Sequence, residues 1–298
     1  MKTHTYIYIY VCMYVCMYVF NRMKSKIKKS FRFGDNVVIC SRSQSNVDKA
    51  VRRLKKFCSE IYGDKDNIDG RIFGTSCDVS DGAQVQELVR FAQQNFANRS
   101  IDIWINNAGV DSGVRSNLSD LTDESIASVV DTNLTGTLLC CKYAFNAMAK
   151  QQGGGWIYIM EGYGSSGNPS PKFVPYGSTK ACFRQLSKSL NAEMKQTNVV
   201  VNRLSPGIVV TELITKASEE SSKKIFNILA DTPHEVAQTL VPRIRSATKK
   251  RNRLVAFLTG SGVAFRFATA FLRKNRFWNA KGEFTYIDPY EQIECHED

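Results

Sequence analysis

Histidine is scarce, three in 298 residues, and no Cys-x-x-Cys pair or His/Cys cluster with metal-ligand spacing occurs; Cys295 and His296 are merely neighbours in a polar tail. No metal centre is therefore expected. Zinc-finger, RNA-binding and helix-turn-helix signatures are missing as well, which argues against a nucleic-acid partner. The apolar run Tyr6 to Phe20 is too short to span a bilayer comfortably and lacks the small-residue pattern of a signal-peptide cleavage site. No glycine stands before Gly34.

What is present is globular in character. The chain is 43% hydrophobic and 23% charged, enough apolar surface for a sizeable core. Nine cysteines would suit a disulfide scaffold, but Cys40, Cys77, Cys140, Cys141 and Cys182 fall within apolar runs, where reduced, buried thiols are expected. The formal charge of +12 is concentrated near the ends: Lys2, Arg22, Lys24, Lys26, Lys28, Lys29 and Arg32 at one, Arg243 to Arg253 and Arg266 to Arg276 at the other. A solvated basic face and a membrane-surface face account for it equally well.

The opening residues repeat. Thr-His-Thr is followed by Tyr-Ile-Tyr-Ile-Tyr and then by Val-Cys-Met-Tyr twice. By the genetic code a CA repeat reads Thr-His, a TA repeat Ile-Tyr and an ATGT repeat Met-Tyr-Val-Cys, so residues 1–33 are expected to be an aberrant segment, with the original N-terminus lost or replaced. The competing reading keeps Tyr8 to Met13 as a first strand, because alternating Tyr, Ile and Val suit a pleated surface.

From Asp35 onward short apolar runs alternate with longer helical stretches, the pattern of a parallel sheet covered by helices. Strands are expected at Asn36 to Cys40, Gly70 to Ser76, Asp102 to Asn106, Trp156 to Met160 and Val199 to Leu204. Helices are expected at Asn46 to Ile61, Gly82 to Phe96, Asp123 to Met148 (interrupted at Gly136), Tyr176 to Lys195, Ser218 to Leu229 and His234 to Ile244. Right-handed crossovers in this order give an α/β, doubly wound, Rossmann-like sheet with a crevice at the carboxyl ends of its strands. The expected organisation is residues 1–33 aberrant, 34–215 core and 216–298 a helical extension with a basic aromatic segment.

Tyr176 and Lys180 stand one helical turn apart, so their side chains share a face. An ammonium beside a phenol favours the phenolate and makes tyrosine a usable proton donor and acceptor. A strand ends near Met160, a Gly/Ser loop follows, and the small residues Gly177-Ser178-Thr179 leave room for a ligand to approach. With Asn106-Asn107-Ala108-Gly109 after one strand, Asn133 in Asn-Leu-Thr-Gly, Asp78 in Asp-Val-Ser and Pro206-Gly207, this set resembles the short-chain dehydrogenase/reductase family over roughly Gly34 to Thr215.

The resemblance implies an oxidoreductase with a nicotinamide cofactor. Tyr176 would be the acid, Lys180 would hold the nicotinamide ribose and lower the tyrosine's pKa, and Asn133 would support Lys180 through ordered water. Asp78 and Val79 would bracket the adenine, Asn107, Ala108 and Gly109 its ribose, and Pro206 to Val209 (with Gly207) the nicotinamide. Arg42 occupies the place where the family selects between cofactors, and a guanidinium there favours NADPH over NADH. Two departures stand out. The place thirteen residues before the tyrosine, usually serine, is Tyr163, leaving Ser165 as the best substitute and Ser166 next; and the places of the family's phosphate-binding glycines hold residues near Met17, Asn21 and Met23.

The loop Met160-Glu161-Gly162-Tyr163-Gly164-Ser165, the segment Tyr176 to Lys180, Phe226-Asn227-Ile228 and Thr239-Leu240-Val241-Pro242-Arg243 are similar to plant chlorophyll b reductases of the non-yellow-colouring type, which carry Asp where this chain has Glu161. That likeness implies reduction of the 7-formyl group of chlorophyll b or chlorophyllide b in the chloroplast, at the thylakoid surface or in the stroma. Phe267, Phe271, Leu272 and Trp278 would dip into the membrane; the competing reading is a core-packed terminal helix. A homo-oligomer is expected by family habit. The alternatives are a general NADPH-dependent carbonyl or ketoacyl reductase, and a non-catalytic remnant serving subunit association or pigment binding.

Overall fold

The computed structural model describes residues 5–9, 35–62, 68–96, 100–113, 115–211, 214, 220–246 and 250–286. Its centre is a parallel seven-stranded sheet of β1 (Thr5–Ile9), β2 (Asn36–Ser41), β3 (Ile72–Ser76), β4 (Ile103–Asn106), β5 (Gly155–Met160), β6 (Val199–Ser205) and β9 (Leu254–Ala256), in the spatial order β3-β2-β1-β4-β5-β6-β9. The chain winds outward from β1 in both directions, so the strand order reverses between β1 and β4 and opens a crevice at their carboxyl ends. This is the expected doubly wound sheet.

The strands are apolar on both faces because helices cover both. Val37 and Ile39 point to one side, Val38 and Cys40 to the other, and all four are fully buried. On the first side Val37, Ile39, Ile103 and Ile105 pack against Val47, Leu54 and Cys58 of α1 (Gln44–Tyr62) and Val236, Leu240 and Ile244 of α8 (Pro233–Arg245). On the other, Val38, Trp104, Ile157 and Ile159 meet α2 (Gly82–Asn95), α4 (Gly136–Met148) and α6 (Phe183–Glu193). Helix starts are capped locally: Asp81 accepts from the Ala83 amide at 2.8 Å, and Thr232 with Glu235 forms a reciprocal capping box.

The first-strand slot is filled. Thr5–Ile9 pairs in parallel with both β2 and β4, bringing Ile9 beside Cys40 and Asn106. The strand thus begins earlier than the expected Tyr8 to Met13, in the Tyr-Ile alternation that suits the pleat; Tyr10 to Met13 and the glycine-turn places Met17, Asn21 and Met23 lie outside the described residues. The interruption expected at Gly136 also moves. A helix α3 (Asp123–Val130) runs into a π-helical segment, Asp131–Thr135, before α4 begins. Gly136 is needed for a different reason, since a Cβ there would stand 2.6 Å from Val79 Cγ2.

Beyond β6 come β7 (Ile208–Val209) and β8 (Ala230–Asp231), paired in parallel, with α5 (Val174–Ala181) before β6, α7 (Glu220–Leu229) between the two short strands and α9 (Gly260–Ala268) near the end. β9, within the segment expected as an extension, adds the edge strand beside β6. The basic aromatic segment is tied down by buried Asp231, which receives Arg266, Arg273 (3.1 Å) and Arg276 (2.9 Å). Asn227 fastens it further: its amide donates to the Trp278 carbonyl at 2.7 Å and its oxygen accepts from the Phe277 and Trp278 amides. Trp278 is 2% exposed and belongs to the core, so it cannot enter a membrane as expected; Phe267, Phe271 and Leu272 remain exposed.

Replacing Asp231 by Asn leaves three arginines around a neutral amide. The expected loss is roughly 2–4 kcal/mol, below the value for a fully buried pair because the arginines keep some solvent. A urea midpoint unchanged from the parent chain would show that the cluster does not hold the C-terminal segment.

Candidate active site

Two loops, a π-helical segment and one helix meet at the carboxyl ends of β4 and β5. The turn after β5 doubles back on the start of α5, and glycine makes the approach possible. A Cβ on Gly164, which has φ +90°, would stand 2.6 Å from the Gly177 Cα, and one on Gly177 would collide with Ser170. The small residues of α5 therefore admit the chain's own loop at Gly177, rather than the ligand expected there. Gly162 is the third close contact: its Cβ would lie 2.4 Å from the Tyr176 hydroxyl oxygen.

Tyr176 and Lys180 occupy the same face of α5, as their spacing requires. Lys180 is 4% exposed, donates from Nζ to the Met160 carbonyl at 3.3 Å, and lies 4.9 Å from the Phe183 ring centroid and 5.5 Å from that of Tyr176. Burial brings its pKa down to about 8, while burial, aided by the negative charge of Asp111, pushes the Tyr176 phenol up to about 12. The net shift of Tyr176 is therefore upward, although Lys180 was expected to lower it; Nζ sits over the ring face and is bonded to a backbone carbonyl, and burial dominates the shift. Tyr176 is held protonated, a donor throughout the neutral range.

Ser165 is buried, and its Oγ accepts from the Gly162 amide at 2.9 Å. Gly162 thus bonds the Ser165 hydroxyl through its amide and abuts the Tyr176 hydroxyl where a Cβ would stand. Ser166 is exposed and accepts only from the Asn168 amide, at 3.4 Å. Tyr163, in the usual serine position, is 60% exposed and turned toward Phe173.

Asn133 lies in the π-helical segment and is fully buried. Its Oδ1 accepts from the Val110 amide at 2.8 Å, and its Nδ2 donates to the Val110 carbonyl at 2.9 Å and to Thr179 Oγ1 at 3.1 Å. Thr179 in turn donates to the Tyr176 carbonyl at 2.7 Å, so Asn133 pins the loop after β4 to the helix carrying Tyr176 and Lys180. A Cβ on Gly109 would be 3.4 Å from both Asn133 Oδ1 and Lys180 Nζ, which places that loop beside the lysine. Thr179 and Gly162 were not singled out from the sequence; their only signal was the absence of bulk near the tyrosine.

The expected cofactor residues divide into two groups. Arg42, Asp78, Val79, Ala108 and Gly109 line one shallow cleft together with Cys40, Ser41 and Val110. Asp78 spends one carboxylate oxygen on the Ser80 amide and hydroxyl, at 2.9 and 2.6 Å. Asn107 follows β4 without lining that cleft, and Pro206, Gly207 and Val209 lie beyond β6, where Gly207 takes φ +71° and Val209 pairs with Asp231. The place of the pyrophosphate turn falls outside the described residues.

The buried lysine has a thermodynamic signature. Its folded pKa, about 8, lies below the ordinary 10.5, so between these values the unfolded chain binds more protons and stability rises with pH on its account. Lys180→Met should raise stability at pH 7 and remove that rise. Equal pH slopes of the urea midpoint in parent and variant would contradict it.

A short chain dehydrogenase family model matches residues 27–222. The chain is 38% identical over 266 residues to the probable chloroplastic chlorophyll(ide) b reductase NYC1 of Arabidopsis thaliana, covering 87% of this chain and 53% of that protein, so it spans about half that relative's length. It is 41% identical over 261 residues to the chloroplastic chlorophyll(ide) b reductase NOL of the same plant, covering 84% of this chain and 71% of that one. Among solved structures, an actinorhodin polyketide ketoreductase with NADPH shares the fold, with a TM-score of 0.66 at 20% identity over 87% of this chain and 97% of that one. With the parallel sheet and the YxxxK helix in place, the matched family assigns the chain plainly: it belongs to the short-chain dehydrogenases, a family of oxidoreductases.

Proposed function

We propose that this core reduces the 7-formyl group of chlorophyll b or chlorophyllide b to the 7-hydroxymethyl group, with NADPH as the hydride source. The observation that carries the reading is that the Tyr176 and Ser165 hydroxyls both meet Gly162 at the carboxyl end of β5. The likeness to chlorophyll(ide) b reductases over more than four fifths of the chain supports the substrate.

The nicotinamide group, when bound, supplies the hydride to the formyl carbon. Arg42, at the rim of the cleft, is suited to a 2′-phosphate, which favours NADPH; Asp78, Val79, Asn107, Ala108 and Gly109 are assigned to the adenosine, and Pro206, Gly207 and Val209 to the nicotinamide. Lys180, buried beside the loop after β4, is assigned to the nicotinamide ribose. Tyr176, held protonated, gives its proton to the formyl oxygen as negative charge develops there. Ser165, already oriented by the Gly162 amide, donates to the same oxygen. Asn133 clamps Val110 and Thr179 and is assigned the support of Lys180 through ordered water.

The same reading places the protein in the chloroplast, as a homo-oligomer, against a membrane surface. Phe265, Phe267, Phe271 and Leu272 expose apolar side chains near Lys274, as a peripheral contact requires. No helix among the described residues is long and apolar enough to cross a membrane.

Two outcomes follow for a version of the chain carrying glycines in the phosphate-binding turn. Tyr176→Phe should lower turnover of a formyl chlorin by about 10²–10⁴-fold with little change in melting temperature; undiminished turnover would remove Tyr176 from the reaction. The chemical step should also weaken as pH rises through about 8, where Lys180 loses its proton, and Lys180→Arg should shift that fall upward. A flat profile from pH 7 to 10 would contradict the requirement for a charged lysine.

A further inference from the structure

The proton-donating tyrosine is the inner end of a row of rings. Phe173, immediately before α5, meets Tyr176 edge to face with centroids 6.3 Å apart and an interplanar angle of 68°, and meets Tyr163 in the same manner at 6.0 Å and 74°. The outer ring, Tyr163, is 60% exposed, an unusual amount of aromatic surface for a side chain beside a reaction centre. Above Phe173 stands Arg115, from the loop after β4, with its guanidinium carbon 4.8 Å from the ring centroid. Its Nε is buried without a hydrogen-bond partner, and among the described residues no carboxylate pairs with it.

The guanidinium is half-buried, and of its nitrogens Nε is buried without a partner among the described residues. Stacking on a phenyl ring leaves the planar donors free, and such a fork is suited to oxygen acceptors. The rings and the cation therefore describe one ligand between them. It has an extended flat face, to lie against exposed aromatic surface, and a peripheral oxygen, to meet the guanidinium.

We propose that Tyr163, Phe173 and Arg115 form a recognition face for a flat conjugated carbonyl compound bearing a carboxylate or carbonyl oxygen at its edge. This rests on the reading of Tyr176 as the proton donor of the same site. The face explains why an aromatic residue occupies the position thirteen before the tyrosine: that place serves binding, while Ser165 supplies the hydroxyl from two residues further on. A small aliphatic aldehyde has neither feature and would gain nothing from it.

The test is equilibrium binding, read without cofactor by fluorescence, on the full chain and its Tyr163→Ser, Phe173→Leu and Arg115→Gln variants. The probes are pheophorbide b, its methyl ester, and 1-pyrenecarboxylate as a flat acid unrelated to chlorins. Each ring variant should weaken pheophorbide b by about 3–10-fold, and Arg115→Gln by about tenfold or more, with unchanged melting temperatures. A loss at Arg115→Gln confined to the free acid identifies a carboxylate as the partner, and an equal loss for the ester a carbonyl. Losses for 1-pyrenecarboxylate, with no binding of either chlorin by the parent, would support the recognition face and remove the chlorophyll reading. Pheophorbide b bound equally by parent and variants would overturn the face while leaving the assigned reaction intact. Failure of the parent to bind any flat probe would overturn it as well.

Discussion

The site depends on one close contact, the return of the loop after β5 onto the first turn of α5. Gly164 and Gly177 touch backbone to backbone, and Gly162 lies against the Tyr176 hydroxyl. Around that contact Lys180 is buried and Tyr176 half-buried, and desolvation moves both pKa values in the direction that burial dictates. The contact also turns Ser165 inward, while Ser166 faces solvent. The reaction end is thus shaped by the absence of side chains at three positions as much as by the side chains present at three others.

Around this contact the fold is arranged in tiers. The strand order reverses between β1 and β4, opening the crevice; the π-helical segment carries Asn133, whose amide binds the loop after β4 to α5; and Gly136 lets the following helix press on Val79 at the cleft. A single π-turn in an otherwise regular helix costs hydrogen-bond geometry, and here it sits where an amide must reach two neighbouring elements at once. The C-terminal segment is fastened separately, by Asp231 and Asn227, and needs its arginines for that purpose before any is available to a membrane.

Much of this was legible in the sequence. Strands from Asn36 to Ser205 and helices from Gln44 to Arg245 follow hydrophobic periodicity closely, because a parallel sheet buried on both faces leaves an unambiguous apolar record. That Tyr176 and Lys180 share a face of one helix was legible too. Three features were not. The π-helical break has no compositional marker, and Gly136 drew attention to the wrong residue. The direction of the tyrosine's shift depends on its own desolvation and on Asp111 nearby, which spacing does not encode. Trp278 reads as a membrane residue in a basic aromatic stretch until its partners, Asn227, Phe226 and Phe277, are placed around it.

What divides the molecule is the contrast between its two ends. The cleft of Arg42, Asp78, Val79, Ala108 and Gly109 and the reaction end at Tyr176 are built, whereas the chain has no glycine before Gly34 with which to let backbone amides meet a pyrophosphate. The most direct measurement is an NADPH titration by quenching of intrinsic fluorescence, on the chain as it stands and on one with glycines introduced into that turn. The account predicts weak or no binding by the first and micromolar or tighter binding by the second. Equally tight binding by both would contradict it, and would mean that residues 1–33 hold the phosphates by another route.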